Sequence, residues 1–137
     1  MWQRCVPGRV TVSYKLILNR LVNELPRFAY NYADERQLHE GLAAVLTSAG
    51  IRFDREYIAG PKDRFDFLCD EGVVIEAKIK GTFSEALRQI DRYCARDDVK
   101  AVLLVTTCLW GQARGWRDDA VLHTKPVRMV RIGRQAF

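Results

Sequence analysis

With 137 residues, 48% of them hydrophobic and 28% charged, the chain has the size and composition of one globular domain with a core of its own. Its longest apolar run, Ala101 to Val105, is far too short to cross a membrane, and MWQRCVPGRV lacks a signal-peptide core, so a membrane anchor and secretion are poor readings and a cytoplasmic protein is expected. Four scattered cysteines (Cys5, Cys69, Cys94, Cys108) with no C-x-x-C, and only two histidines, argue against a disulfide scaffold and a zinc or iron–sulfur site, while a net charge of +5 points toward an anionic partner.

In chain order, residues 9–33 are ambiguous. Arg9 to Tyr14 alternates like a strand, Lys15 to Leu25 suits a short helix stopped by Pro26, and Tyr30–Asn31–Tyr32 reads as a connector. From Asp34 the pattern sharpens. Asp34 and Gln37 resemble a capping box, Leu38, Leu42, Val45, Leu46 and Ala49 recur at helical spacing, and Gly50 ends the helix. Ile51 to Ile58 predicts a strand and Gly60–Pro61 a turn. Phe65 to Cys69 and Val73 to Ile79 predict two strands joined by the hairpin loop Asp70–Glu71–Gly72. Thr82 and Glu85 form a second capping box, opening a helix with Phe83, Ala86, Leu87, Ile90 and Cys94 on its apolar face. Val99 to Thr107 is a buried strand, residues 108–126 are irregular, and Val127 to Ile132 suits an Arg-decorated edge strand. The strand–helix–strand from 73 to 107 predicts a parallel crossover in a mixed sheet.

The hairpin carries the chemistry. With 70–72 as its loop, Cys69 opposes Val73 and Asp66 opposes Glu76. One face then holds Phe65, Phe67, Cys69, Val73, Ile75, Ala77 and Ile79, and the other Asp66, Leu68, Val74, Glu76 and Lys78. Opposed like charges destabilise a strand pair, and crowded carboxylates resist joint ionisation. A divalent cation resolves the conflict: Mg²⁺ takes one or two protein carboxylates, leaves places for water and phosphate, and lowers the pKa of its bound water. Lys78 then orients that water or stabilises charge on phosphate. An ordinary exposed strand face with a Glu–Lys pair is the alternative.

Asp66 with Glu76-x-Lys78, set in an α–β–β–β–α–β order, resembles the PD-(D/E)xK nuclease superfamily over roughly residues 34–107. Gln89-x-x-x-Tyr93 on the following helix is similar to the motif of its RecB-like, λ-exonuclease-like and Holliday-junction-resolvase-like branches; Phe65 stands where the superfamily's name has Pro. The resemblance implies an α/β, restriction-endonuclease-like αβββαβ core, its mixed central sheet flanked by helices, with an extra C-terminal edge strand. It implies one nuclease domain with its core at 34–107, between a basic extension (1–33) and a basic C-terminal loop and strand (108–137). Asp66, Glu76 and the Ala77 carbonyl would bind Mg²⁺, with Mn²⁺ able to substitute, and Lys78 would position water. Gln89 and Tyr93, four apart on one helical stripe beside the apolar face, would line the cleft and touch substrate or the nucleophilic water; a half-buried boundary pair is the alternative. Glu35, on the inward face at the start of the preceding helix, is the favoured further ligand; His39, on a flank, and Glu40, on the solvent side, stay open as alternatives.

The charge distribution suits a polyanion. Residues 1–33 carry five basic and one acidic side chain, and residues 108–137 six and two; between them eleven basic face fourteen acidic. Basic flanks around an acidic middle fit a nucleic acid held at its rim and attacked at the centre, although a solubilising excess gives the same totals. Lys80, Arg88, Arg92 and Arg64 are the expected phosphate contacts. Trp110 and Trp116, near Arg114 and Arg117, either stack on an unpaired base or pin a loop. The expected activity is Mg²⁺-dependent hydrolysis of DNA phosphodiesters, structure-selective or non-specific, with a homodimer implied by resemblance only. The alternatives are a catalytically silent module of the same fold binding nucleic acid or a protein partner, and a nuclease acting on RNA.

Overall fold

Two strands buried on both faces form the centre of the molecule: β4 (Val73–Lys78) and β5 (Ala101–Thr106). Their sequences, VVIEAK and AVLLVT, scarcely alternate because both faces are covered. Val73, Ile75, Ala77, Ala101, Leu103 and Val105 pack with the apolar stripes of α1 (Tyr14–Glu24) and α2 (Glu35–Ser48). Val74, Val102 and Leu104 pack on the other side with Ala86, Ile90, Tyr93 and Cys94 of α3 (Phe83–Cys94). The computed structural model describes residues 13–112 and 116–134 and is α/β, a mixed open sheet flanked by helices. Cys5, Arg114 and the stretch Arg9–Val12 lie outside the described residues.

The remaining strands are β1 (Ala29–Tyr30), β2 (Phe53–Ile58), β3 (Arg64–Cys69), β6 (Val121–Leu122), β7 (Lys125–Arg131) and β8 (Gly133–Arg134). The six-stranded sheet has the order β2-β3-β4-β5-β7-β6. Its first three strands run antiparallel in succession, β5 lies parallel to β4 through the α3 crossover, and β7 lies parallel to β5. Cys69 pairs with Val73, the expected register.

Local chemistry explains the boundaries. Ser13 caps α1 by accepting from the Leu16 N–H (3.3 Å), so Tyr14 begins a helix rather than ending the expected strand. Asp34 caps α2, accepting from Gln37 N–H (2.9 Å), but the Gln37 side chain reaches Ala33 N–H (2.7 Å) one residue before the cap. At α3 the box is reciprocal: Thr82 Oγ1 accepts from Glu85 N–H (3.1 Å) and Glu85 Oε1 accepts from Thr82 N–H (2.9 Å). Gly72 closes the hairpin at φ +76°, where a Cβ would stand 2.9 Å from Lys100 Cγ and 3.0 Å from the Asp98 carbonyl oxygen. Only glycine has both the conformation and the clearance.

Three expectations need correction. Of the expected connector Tyr30–Asn31–Tyr32, Tyr30 belongs instead to a strand, Ala29–Tyr30, which pairs in parallel with Gly133–Arg134, a long-range pairing that leaves no local pattern. The last long strand is not the edge, since β6 folds back antiparallel outside it. Phe65 does not share the face of Phe67: it packs beside Tyr93, with ring centroids 4.8 Å apart, on the α3 side. Strict alternation fails where β3 leaves its ladder with β4.

Candidate metal and phosphate site

The β3–β4 ladder ends at the pair Phe67–Ile75, immediately before Asp66 and Glu76. There the Ala77 N–H donates to Asp66 Oδ2 (2.8 Å) in place of a regular ladder bond. The backbone of β2 is also irregular here: Glu56, facing Asp66 in register, has φ +49°, and the β2–β3 pairing skips that position. A non-glycine residue in the left-handed region costs free energy and is often found where a site imposes its geometry.

Asp66 sits between two helices. On the α2 side its Oδ2 lies 3.4 Å from His39 Nε2, and His39 is buried edge-on against Phe67 (5.6 Å between centroids). That Asp66 interaction, ahead of burial, raises the His39 pKa above its ordinary value. On the α3 side, burial first and then the charges of Glu76 and Asp66 push the Tyr93 phenol up. Glu76 is only 3% exposed, its Oε2 3.5 Å from Lys78 Nζ. Burial, reinforced by the charge of Asp66 and opposed by Lys78, lifts the Glu76 carboxyl to about 8. Glu76 Oε1 and His39 Nε2 are buried without a hydrogen-bond partner, an expensive state for polar atoms.

A cleft of 500 Å³ reaches this site at Lys78 and is lined by Glu35, Lys78, Lys80, Arg88, Gln89 and Arg92, among others; Asp66 and Glu76 lie behind its lining. Glu35 lies on the cleft wall, close enough to His39 to favour its protonated form. Glu40 is outside, exposed and paired with Arg55 at 2.8 Å. His39, read from the sequence as lying on a flank, is the α2 residue in direct contact with Asp66. Its signal was available: a histidine one position from the buried Leu38 is carried inward when α2 packs against Phe67.

Gln89 Nε2 donates to the Tyr93 hydroxyl (2.9 Å), which donates to the Arg64 carbonyl (2.8 Å). Tyr93 is fully buried, so it orients Gln89 and ties α3 to β3 instead of reaching outward to a nucleic acid. Arg92, half exposed on the cleft wall, is held by Asp63 at 2.8 Å; the hydrogen bond from Arg92 keeps the Asp63 carboxyl below its ordinary range. Lys80 and Arg88 are exposed along the same wall. Arg64 points elsewhere, 64% exposed and 3.6 Å from Glu56. Trp110 donates to the Gly81 carbonyl (3.0 Å), and both Trp110 and Trp116 pack 5.7 Å from Phe83, which pins the loop to the start of α3. Arg117, exposed, pairs with Asp119 at 2.9 Å.

The side chains here able to ligate a cation are the Asp66 and Glu76 carboxylates and, from α2, Glu35 or His39; at Ala77 it is the N–H that meets Asp66. Among the described residues no three His, Cys, Asp or Glu side chains already stand together as a metal-ligand group. The buried Glu76 oxygen without a partner beside a second carboxylate is what a hard divalent ion would satisfy. No protein-family model matches the chain, and no curated protein and no solved structure matches it.

Proposed function

We propose that the protein is a Mg²⁺-dependent nuclease that hydrolyses DNA phosphodiester bonds. The observation that carries the reading is the buried Glu76 oxygen left unpartnered just past the end of the β3–β4 ladder, where Asp66 accepts from the Ala77 N–H and Lys78 stands beside Glu76. Two carboxylates in this state hold a proton between them or a cation. The open, basic cleft beside them favours a cation that also meets phosphate.

Bound there, Mg²⁺ would supply a polarised phosphoryl oxygen and a water acidic enough to yield hydroxide near neutral pH. The chain's own residues do the rest. Asp66 and Glu76 offer carboxylate oxygens, with Glu35 on the cleft wall. Lys78, anchored to Glu76, presents an ammonium where charge grows on the phosphoryl group. Gln89, its amide nitrogen held by the Tyr93 hydroxyl, lines the cleft, and Lys80, Arg88 and Arg92 hold the flanking phosphates. His39 contacts Asp66 and so orients that carboxylate or joins it as a ligand. The order α2-β2-β3-β4-α3-β5 supports the finer reading of the fold as restriction-endonuclease-like.

The test is cleavage of labelled single-stranded, duplex, flap and four-way-junction DNA with Mg²⁺ or Mn²⁺, in the native protein and in Asp66→Asn, Glu76→Gln and Lys78→Ala. Metal-dependent cutting lost by about 10²-fold or more in each variant, with melting behaviour kept, is the expected result. Undiminished cutting in any of the three contradicts the mechanism. Binding without cutting by the native protein selects the silent-module reading, and cutting of RNA alone moves the same chemistry to RNA.

A further inference from the structure

A second groove continues the cleft over the outer face of α3. It measures 690 Å³ and is lined by Ser84, Leu87, Arg88, Asp91 and Arg92 of the helix and by Leu122 of β6. Arg88 and Arg92 line both spaces and so form the ridge between them, with the Arg92 Nε–H donating to Asp63 at 2.8 Å. The floor is apolar, from Leu87 and Leu122. Its one carboxylate, Asp91, lies 3.0 Å from His123 Nε2.

The groove depends on a costly turn. His123 and Thr124, which reverse the chain between β6 and β7, have φ of +51° and +67°. The left-handed region is unfavourable for non-glycine residues and especially for β-branched threonine. The His123–Asp91 contact fastens this turn to α3, and the two-residue β6 carries Leu122 to the helix.

Arginines beside an apolar floor distinguish one form of nucleic acid from another. A duplex presents phosphates and groove edges but hides the faces of its bases, so it leaves such a floor uncovered. An unpaired strand offers phosphates to the ridge and base faces to the floor. The volume falls within the roughly 300–1,000 Å³ of ligand sites.

We propose that this α3–β6 groove binds an unpaired nucleic-acid strand running on from the cleft, with Arg88 and Arg92 gripping phosphates on the ridge and Leu87 and Leu122 covering a base. The inference rests on the cleft being a phosphodiester site and names its substrate as single-stranded, or as bearing a single-stranded tail.

Binding without metal separates this claim from the nuclease reading. Fluorescence anisotropy in EDTA compares an oligothymidylate of about twenty nucleotides with a duplex of the same length, for the native chain, Leu87→Glu and Ser84→Glu. Ser84 is exposed in the first turn of α3, where an added carboxylate is compatible with the helix, so this variant keeps the test intact if Leu87→Glu misfolds. The native protein should prefer the single strand, and each folded variant should lose about tenfold in that affinity with duplex affinity held within about twofold. Equal affinity for both forms, preference for duplex, or variants that bind single strands normally would overturn the groove. Failure of the nuclease reading has a different signature: single-strand binding with this variant sensitivity, but no metal-dependent cutting.

Discussion

A carboxyl titrating near 8 in the fold and near 4.5 in the unfolded chain makes Glu76 a measurable reporter of its surroundings. Between those values the metal-free native state binds a proton that the unfolded state releases. Stability therefore falls as pH rises from about 4.5 to about 8. His39 acts in the same direction: its raised pKa gives a contribution present below the ordinary histidine value and lost as pH rises through the folded one. Urea unfolding between about pH 5 and pH 8 should show that decline, with a shallower slope in Glu76→Gln; parallel profiles would contradict the assignment. Tyr93→Phe removes the hydroxyl shared by Gln89 and the Arg64 carbonyl, and chemical denaturation should show a loss of about 1–3 kcal/mol. Cleavage by that variant should fall while substrate binding holds, because the freed amide of Gln89 loses its orientation; weaker binding with an unchanged rate would instead place Tyr93 against the substrate.

At the scale of elements, α3 carries half of the cleft wall, and its reciprocal cap and its ties to β3 and the β2–β3 loop hold it in place. Thr82→Ala should cost about 1 kcal/mol, read from the urea midpoint at unchanged slope. The β2–β3 loop is bolted to the far end of the same helix: Asp63 takes Arg92 at 2.8 Å and Arg96 at 3.1 Å, and Arg96 donates to the Ala59 carbonyl at 2.6 Å. Much of this was legible in the sequence. The Thr82–Glu85 spacing announced the cap, the Asp70–Glu71–Gly72 loop set the hairpin register, and the apolar run at 101–105 marked a strand buried on both faces. The placement of Phe65 was not legible, because alternation assumes a continuous ladder and this one stops at Phe67–Ile75, just before Asp66 and Glu76. Tyr93 read as an outward cleft residue for a related reason: sequence spacing gives a helix face but not the depth at which the sheet meets it. His39 is legible as a flank residue one position from Leu38; that its flank turns to Asp66 follows from the packing of α2 on Phe67, with His39 edge-on to that ring.

For the whole molecule, the sheet has unlike edges. The β2 edge offers Asp54, Arg55 and Glu56 and the kink at Glu56, features that discourage pairing with another strand. A homodimer of the expected kind would therefore use another surface. At the opposite end of the β3–β4 hairpin, Gly72 packs against the 98–100 segment, so the turn and the entry to β5 are built together. Gly72→Ala should destabilise the fold by more than about 1 kcal/mol, checked by thermal unfolding, while leaving the distant cleft's metal response intact in the folded fraction. No described helix is long and apolar enough to cross a membrane.

The central claim, that Asp66 and Glu76 together hold a divalent ion, is tested most directly by isothermal titration of the native protein and Glu76→Gln with Mn²⁺ at about pH 8. The account requires a binding event in the native chain that weakens as pH is lowered, because a proton then competes for Glu76, and that is absent from the variant. No binding by the folded native protein, or equal binding by Glu76→Gln, would contradict it.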